Sequence, residues 1–401
     1  MTGATITVLD CNEFWSPSGG GVRRYHLQKM AYLRSRRDVR HVMVMPGTRA
    51  RTEQTGPNAV IEHVPAFKFP GNWEYRLCPT VAALRAVIAK HKPDVIEIGS
   101  PYLLPGRIRA AVRGLEAQGI KPKLVGFWHA DFPVTYVQRF FARFGAPVGR
   151  MAENVAWAFA RHQYAAMDAI FVPSQVILNR LQKRGLKNLH HIPLGVDTAT
   201  FNPARRIEAR AQELKAGLPE RLTIFFGHRF SEEKGLRTLL KAYPQLCERL
   251  GHEPALVFAG TGPDLNLVQA ATREHAHMRY IGFVREPADM AAWYASCDMG
   301  LALSGWETFG LAIVEALACG QILVAANTGA AREHVEQSGA GLPIPVAHVD
   351  ALVDAIETLW RDRASWPQRA QKAVAYAQEL TWDHCFAREL DQYRALTRPP
   401  V

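Results

Sequence analysis

The stretch Ser304 to Glu315, S-G-W-E-T-F-G-L-A-I-V-E, carries two glutamates eight positions apart, Glu307 and Glu315. The apolar run Met299 to Leu303 ahead of it reads as a strand, and Leu311 to Ala318 as the following helix. Gly305 and Gly310 bracket a tight loop between them, so Glu307 lies in the loop and Glu315 in the helix's second turn. A strand, a turn and a helix N-terminus form a ready anion site, because free N–H groups and the helix dipole point the same way. A carboxylate there would repel an anion directly, so a cationic or hydroxyl-rich group should stand between them. A sugar joined to a diphosphate meets that requirement. In isolation, the same residues also describe a helix-start acid and a solvated helix glutamate.

Other candidates fall at similar junctions. In Gly227 to Gly235, G-H-R-F-S-E-E-K-G, Arg229 and Lys234 flank a strand-to-helix turn, where two cations could hold a diphosphate or simply be solvated. Near the N-terminus, Ser16-Pro17-Ser18-Gly19-Gly20-Gly21 separates a strand, Thr5 to Leu9, from a helix, Val22 to Ser35. Glycines allow a phosphate to approach the backbone closely, although this is not G-x-G-x-x-G and a flexible turn fits equally well. His129 ends the strand Leu124 to Phe127, on the edge where open α/β sheets bind ligands. His129-x-Asp131 could also be a loop with a capping aspartate. No Asp-x-Asp occurs, and the six cysteines show no C-x-x-C spacing. The sequence therefore predicts no metal, no cofactor and a reduced, cytoplasmic protein.

Strand and helix signals alternate along the chain, which predicts an α/β fold with parallel sheets. Strands are expected at Val42–Met45, Val95–Ile98, Ala169–Val172, Leu222–Gly227, Ala255–Ala259, Arg279–Phe283 and Gln321–Ala326. Between them lie helices at Thr80–Lys90, Ile108–Ala117, Ser174–Arg184, Leu236–Leu250 and Ala288–Ser296. Val134 to Met167 reads as long, aromatic-rich and mostly helical, broken near Gly145 to Pro147. A linker around Pro193 to Pro203 suggests domains over residues 1–195 and 196–380, followed by a helix over 381–401. That helix carries Phe386, Leu390, Tyr393 and Leu396 at helical spacing, so it needs an apolar surface to cover.

The 401 residues are 48% hydrophobic, enough for two or three cores, and no apolar run reaches a membrane-spanning length. The net charge of +11 is uneven. Residues 1–195 hold 27 Lys and Arg against 12 Asp and Glu, net +15, and the remainder carries net −4. An anionic partner for the first half follows: a membrane surface, an anionic substrate or nucleic acid. No basic-aromatic recognition motif supports nucleic acid. The basic residues Arg23, Arg24, Lys29, Arg34, Arg36 and Arg37, then Arg180, Lys183, Arg184 and Lys187, are expected on exposed helices.

Together these residues resemble the retaining nucleotide-sugar transferases of glycosyltransferase family 4, which have the GT-B fold. The resemblance rests on Glu307 to Glu315, Gly227 to Gly235, Pro193 to Asp197 with Phe201-Asn202-Pro203, Gly20-Gly21-Val22, and His129-Ala130-Asp131-Phe132-Pro133. The last looks like a variant found in members that glycosylate lipids. His228 departs from the residue usual before the arginine, and Gly19 makes the first loop unusually glycine-rich.

The resemblance implies two Rossmann-like domains facing each other across a cleft, with the last helix returning to the first domain. The donor, a GDP- or UDP-linked hexose, would lie mostly on the second domain. Arg229 and Lys234 would bind its diphosphate, Glu315 the ribose and Glu307 the sugar hydroxyls. Backbone N–H groups of Phe309, Gly310 and Leu311 would support sugar and phosphate. Gly20 and Gly21 would approach the diphosphate, His129 would lie beside the sugar, and Val284 and Arg285 would meet the base. Retention would proceed by front-face attack or through a short-lived ion pair, since no carboxylate can be named for the far face. The acceptor would be a sugar or lipid-linked hydroxyl, reached by reversible association of the first domain with an anionic membrane. A sugar-nucleotide epimerase, a phosphorylase and a non-catalytic sugar-nucleotide or membrane-binding module remain alternatives.

Overall fold

The computed structural model describes residues 5–13, 20–66, 68–69, 72–76 and 79–398. Ser16 to Gly19 of the first glycine loop lie outside the described residues. The chain forms two compact units, Met1–Pro193 with Trp382–Val401, and Leu194–Thr381.

The first unit opens with β1 (Ile6–Cys11), α1 (Gly21–Arg34), β2 (Val39–Gly47), β3 (Arg51–Gly56) and β4 (Ala59–Pro65). Two short strands, β5 (Lys68–Phe69) and β6 (Asn72–Arg76), form a separate two-stranded sheet. Next come α2 (Val81–His91), β7 (Val95–Ile98), α3 (Leu104–Arg113) and β8 (Lys123–Phe127). A π-helical turn, Pro133–Gln138, leads into α4 (Arg139–Ala142), α5 (Ala146–Tyr164), β9 (Ala169–Val172), α6 (Gln175–Lys183) and β10 (Leu189–His191). The main sheet runs β10-β9-β8-β7-β1-β2-β4-β3, parallel except for the β3–β4 pair. Its inner strands are short and almost wholly buried, Ala169–Val172 as a purely apolar run, as a sheet covered on both faces requires. Local chemistry sets the helix starts: Thr80 Oγ1 accepts from Ala83 N at 3.2 Å, and Ser174 Oγ from Ile177 N at 3.4 Å.

The second unit contains α7 (Glu208–Lys215), β11 (Thr223–Gly227), α8 (Leu236–Leu250), β12 (Ala255–Ala259) and α9 (Leu265–Glu274). It continues with β13 (Met278–Tyr280), α10 (Pro287–Ser296), β14 (Met299–Ala302) and α11 (Leu311–Ala318). It ends with β15 (Ile322–Ala326), α12 (Gly329–Ser338), β16 (Gly341–Ile344), α13 (Val349–Arg361) and α14 (Trp366–Glu379). The six strands are all parallel, in the order β13-β12-β11-β14-β15-β16.

Several boundaries differ from the sequence expectation. The hairpin β3–β4 is unforeseen because its polar edge strand, R-T-E-Q-T-G, carries no apolar alternation. β1 extends through Asp10 and Cys11, both fully buried, because Asp10 has a cationic partner inside the fold. α3 begins at Leu104 rather than Ile108, with Pro105 in its first turn, a position where proline is tolerated. β13 ends at Tyr280 because the chain turns at Gly282 (φ +80°), whose carbonyl accepts from Gly260 N at 2.8 Å.

The last helix, α15 (Trp382–Thr397), packs on the first unit. Trp382, Phe386, Leu390 and Tyr393 are buried, and the Phe386 ring lies 5.7 Å from Tyr25 and 5.4 Å from Tyr32. Beneath this apolar cover lies a charged cluster. Lys29 Nζ, buried on α1, meets Asp10 Oδ1 at 2.9 Å, Glu97 Oε2 at 3.0 Å and Glu389 Oε2 at 3.2 Å. It also donates to Tyr393 Oη at 2.8 Å. Asp10 takes His41 Nε2 at 2.7 Å on its other oxygen, and Tyr25 Oη sits 2.8 Å from Glu97 and 2.9 Å from Glu389. Lys29 is thus not one of the exposed basic residues that the sequence suggested. Arg180 and Arg184 are likewise engaged, by Asp131 and by Glu153.

One ammonium cannot balance three carboxylates. Burial would raise Asp10, but Lys29 and His41 hold its carboxyl well below the usual range. Burial pushes Glu389 up to about 8, with Glu97 and Asp10 adding to the rise that Lys29 opposes. A protonated Glu389 can donate to Tyr25 while the single Tyr25 proton goes to Glu97. A carboxyl whose folded pKa exceeds its unfolded value binds its proton more tightly when folded, so stability falls as pH rises between the two values. Glu389 should therefore contribute less to stability as pH rises from about 5 to about 8, a window in which Asp10 and Lys29 stay charged, so the stability of Glu389→Gln relative to wild type should rise across it. Lys29→Met should cost about 3–5 kcal/mol by stranding the carboxylates. Denaturant titrations at several pH values check both outcomes.

Candidate functional site

In a parallel sheet every strand ends at the same edge, and the edge is open where neighbouring connections depart to opposite sides. In the second unit that point lies between β11 and β14, since β12 and β13 extend one way and β15 and β16 the other. The loop after β11 carries Arg229 and Lys234, and the loop after β14 carries Glu307. The structure brings two of these together: Lys234 Nζ lies 2.5 Å from Glu307 Oε1, with each side chain about one-quarter to one-fifth exposed. Their approach depends on Gly235 (φ +78°), where a Cβ would stand 2.5 Å from Leu303 Cβ. Burial would raise the Glu307 carboxyl, but the charge and hydrogen bond of Lys234 hold it below the usual glutamate range.

The supporting contacts were not foreseen. His228 Nε2 lies 2.6 Å from the Leu301 carbonyl, and burial, with Lys234 nearby, lowers its pKa to about 4. The ring is therefore neutral and donates from Nε2, pinning the β11 loop to β14. Phe230 N donates to Thr261 O at 2.9 Å, and Asp264 N to Phe230 O at 3.1 Å. Gly260-Thr261-Gly262 thus backs the loop that presents the exposed Arg229. The Glu307 loop is held through its carbonyls. Gly305 O accepts from Thr328 Oγ1 at 3.0 Å, Glu307 O from Ala330 N at 3.1 Å, and Phe309 O from His334 Nε2 at 2.6 Å. His334 Nδ1 meets the Tyr376 hydroxyl at 2.8 Å, so α12 and α14 brace the loop from behind.

Gly310 (φ +84°) is the N-cap of α11 and makes no side-chain capping bond. Phe309 is buried, Leu311 starts the helix, and Glu315 is 5% exposed, so it is not a solvated helix residue. Val284 and exposed Arg285 follow β13, two strands from β11 on the same edge. Among the described residues, no group of three or more His, Cys, Asp or Glu side chains could hold a metal ion.

The first unit has its own open point, between β1 and β7. Ser100 Oγ bonds Asn12 Oδ1 at 2.5 Å and accepts from Glu13 N at 3.1 Å, tying the β1 loop to the β7 loop. Among the described residues, nothing stands within 4 Å of where a Cβ would lie on Gly20, the uncapped N-cap of α1, and Gly21 is exposed. His129, after β8, stacks flat on Phe127 at 4.2 Å and meets the edge of Tyr25 at 4.7 Å. Burial first, then His26 and Lys29, push its pKa well below the ordinary value, so the imidazole is neutral. Asp131 is buried and paired with Arg180, while its backbone carbonyl accepts from Val134 and Thr135 N. The carboxylate is thus an ion-pair partner rather than a helix cap.

Residues 19–200 match the family described as Glycosyltransferase Family 4, and residues 208–380 match Glycosyl transferases group 1. A GDP-mannose-dependent alpha-(1-6)-phosphatidylinositol dimannoside mannosyltransferase of Mycobacterium tuberculosis is 29% identical, over 96% of this chain and 95% of that protein. The corresponding monomannoside mannosyltransferase of Mycolicibacterium smegmatis is 32% identical over 73% of each. Among solved structures, sucrose-phosphate synthase from Thermosynechococcus elongatus aligns with a TM-score of 0.73 at 18% identity, covering 98% of this chain and 99% of its own.

The Lys234–Glu307 pair can be tested directly. Lys234→Met should move the Glu307 carboxyl upward, because burial then lacks its main counterweight. Carbon NMR of labelled glutamate across a pH titration should show this resonance titrating higher than in wild type.

Proposed function

The chain belongs to glycosyltransferase family 4, and we propose that it transfers mannose from GDP-mannose to a hydroxyl of a lipid-anchored polyol or sugar. It is a retaining glycosyltransferase with the GT-B fold. The observation that carries the substrate reading is the contact between Lys234 and Glu307 at the open point of the second sheet, with Arg229 on the same loop as Lys234. A cation resting on a carboxylate suits a sugar diphosphate, whose phosphates need the cation and whose hydroxyls need the carboxylate. GDP-mannose and the lipid acceptor are supported by the names of the similar mycobacterial enzymes.

In this reading the bond from the anomeric carbon to the β-phosphate oxygen breaks, and its electron pair stays on the departing GDP. Arg229, Lys234 and the backbone N–H groups of Phe309, Gly310 and Leu311 stabilise that charge without reorganising. Glu307 holds sugar hydroxyls and Glu315 the ribose, while Val284 and Arg285 face the base. Gly20 and Gly21 leave room for the diphosphate. The acceptor oxygen bonds to the anomeric carbon on the face that the phosphate leaves, and its proton passes to the phosphate oxygen. His129 serves beside the sugar as a neutral hydrogen-bonding group, because its burial disfavours the imidazolium.

Mannose transfer should be seen with GDP-mannose, and UDP-hexoses should be used poorly, when product is followed with a mycobacterial-type phosphatidylinositol mannoside as acceptor. Equal use of UDP-glucose, or no use of GDP-mannose, would overturn the donor assignment. Arg229→Ala and Lys234→Ala should each lower turnover by about a hundredfold or more, and Arg229→Lys should rescue poorly because a point charge cannot replace a bidentate fork. Glu315→Ala should weaken GDP binding, whereas Glu307→Ala should lower turnover with little effect on free GDP.

A further inference from the structure

The segment from Phe132 to Ala152 has no acidic residue and three arginines, Arg139, Arg143 and Arg150. It folds as a helical hairpin: the turn Pro133–Gln138 and α4 rise from the sheet edge, and α5 returns. The hairpin is firmly seated. Gly149 lies so close to Ala142 that a Cβ would come within 3.0 Å of its Cα, and Phe132, Ala156, Trp157 and Ala160 are buried in the core of the first unit.

Its outer part turns apolar groups towards solvent. Tyr136, Phe140 and Phe144 follow at four-residue intervals and are 56%, 49% and 65% exposed. Met151 and Val155, also four apart, are 65% and 66% exposed. The exposed phenylalanines contact one another, with Phe140 5.2 Å from Phe141 and 6.5 Å from Phe144. The Arg143 guanidinium lies 3.9 Å from the centre of the Phe140 ring. Contiguous exposed apolar groups mark an interaction surface. Aromatic rings interleaved with arginines, with no acid among them, match the interface of a bilayer carrying anionic lipid. The acids that bound the segment, Asp131 and Glu153, are buried against Arg180 and Arg184 and do not offset its charge.

We propose that this hairpin docks the first unit onto an anionic lipid bilayer, a reading that rests on the lipid-acceptor assignment above for its choice of partner. The aromatic rings enter the interfacial layer, and Arg139, Arg143 and Arg150 meet lipid phosphates. On α1, Lys29 is buried, and just beyond that helix Arg36 is held by Asp38, so neither adds to the charge that the first unit presents to lipid.

The test is co-sedimentation of the full chain with vesicles of phosphatidylcholine alone or mixed with phosphatidylglycerol, at rising salt. Wild type should bind only the mixed vesicles, and binding should fade as salt shortens the Debye length. Each of Arg139→Gln, Arg143→Gln and Arg150→Gln should weaken partitioning by about fivefold. Phe140→Ser with Phe144→Ser should abolish it while GDP binding and the thermal midpoint stay unchanged. Wild type failing to bind the mixed vesicles, or the serine variant binding them as well as wild type, would overturn the docking proposal. So would a wild-type dimer in solution that the serine variant converts to monomer, since the patch would then be an interface between copies. Failure of the donor and acceptor reading appears separately, as absent mannose transfer by a protein that still binds vesicles.

Discussion

The buried ammonium of Lys29 fixes the architecture of the first unit. It lies where β1, β7, α1 and α15 meet, and each supplies a group to the same cluster: Asp10, Glu97, Tyr25 and Glu389. An apolar contact between α15 and the unit could slide along a helix by a turn. A lysine surrounded by three carboxylates and two phenols permits one register, because any displacement leaves a charge in an apolar interior. The cluster also reaches towards the candidate site. Tyr25 bonds Glu389 through its hydroxyl and meets His129 through its ring, so the last helix supports the surroundings of a residue more than 250 positions earlier. His129 is held between Tyr25 and Phe127 in a neutral state, which suits directional hydrogen bonding and not proton donation.

The second unit uses a different arrangement. Its candidate residues stand on loops fixed from behind: side chains of Thr328 and His334 bond carbonyls of the Glu307 loop, and backbone bonds from Phe230 N to Thr261 O and from Asp264 N to Phe230 O hold the Arg229 loop. This rigidity matters because preorganised donors stabilise developing charge only if they do not have to move as it develops. Gly235 and Gly310 have left-handed backbones at the two ends of the arrangement, one letting the chain after Lys234 pass close to Leu303, the other starting α11.

Much of this was legible in the sequence, for reasons that also explain the rest. Val95–Ile98, Ala255–Ala259 and Leu311–Ala318 were readable to the residue because apolar runs end at clear breakers. The edge hairpin Arg51–Pro65 was not, since an exposed edge strand need not alternate. The position of Glu307 beside the cationic loop followed from the motifs, but its contact with Lys234 depends on strand order, which places β14 beside β11 across 73 residues. His334 and Tyr376 carried no signal, because both act through hydrogen bonds set by helix packing. Charge counting misled in one respect. The excess of basic residues in the first half is real, yet Lys29, Arg180 and Arg184 are spent on internal partners, and pairing between distant residues is invisible to composition.

The two lysine–carboxylate contacts differ in a way that separates structure from chemistry. Lys29 is saturated: its three donors face Asp10, Glu97, Glu389 and Tyr393, all inaccessible to solvent, so no ligand could compete for it. Lys234 meets one carboxylate, and both partners remain about one-fifth to one-quarter exposed. An ion pair in that condition contributes little to stability, because solvent screens it and its desolvation is incomplete. The same incompleteness allows a ligand that carries both phosphate and hydroxyl groups to engage the two ends of the pair at once, at small cost for separating them. The pair also keeps Glu307 ionised in a partly buried site, so the carboxylate is ready to accept hydrogen bonds from hydroxyl groups when such a ligand arrives.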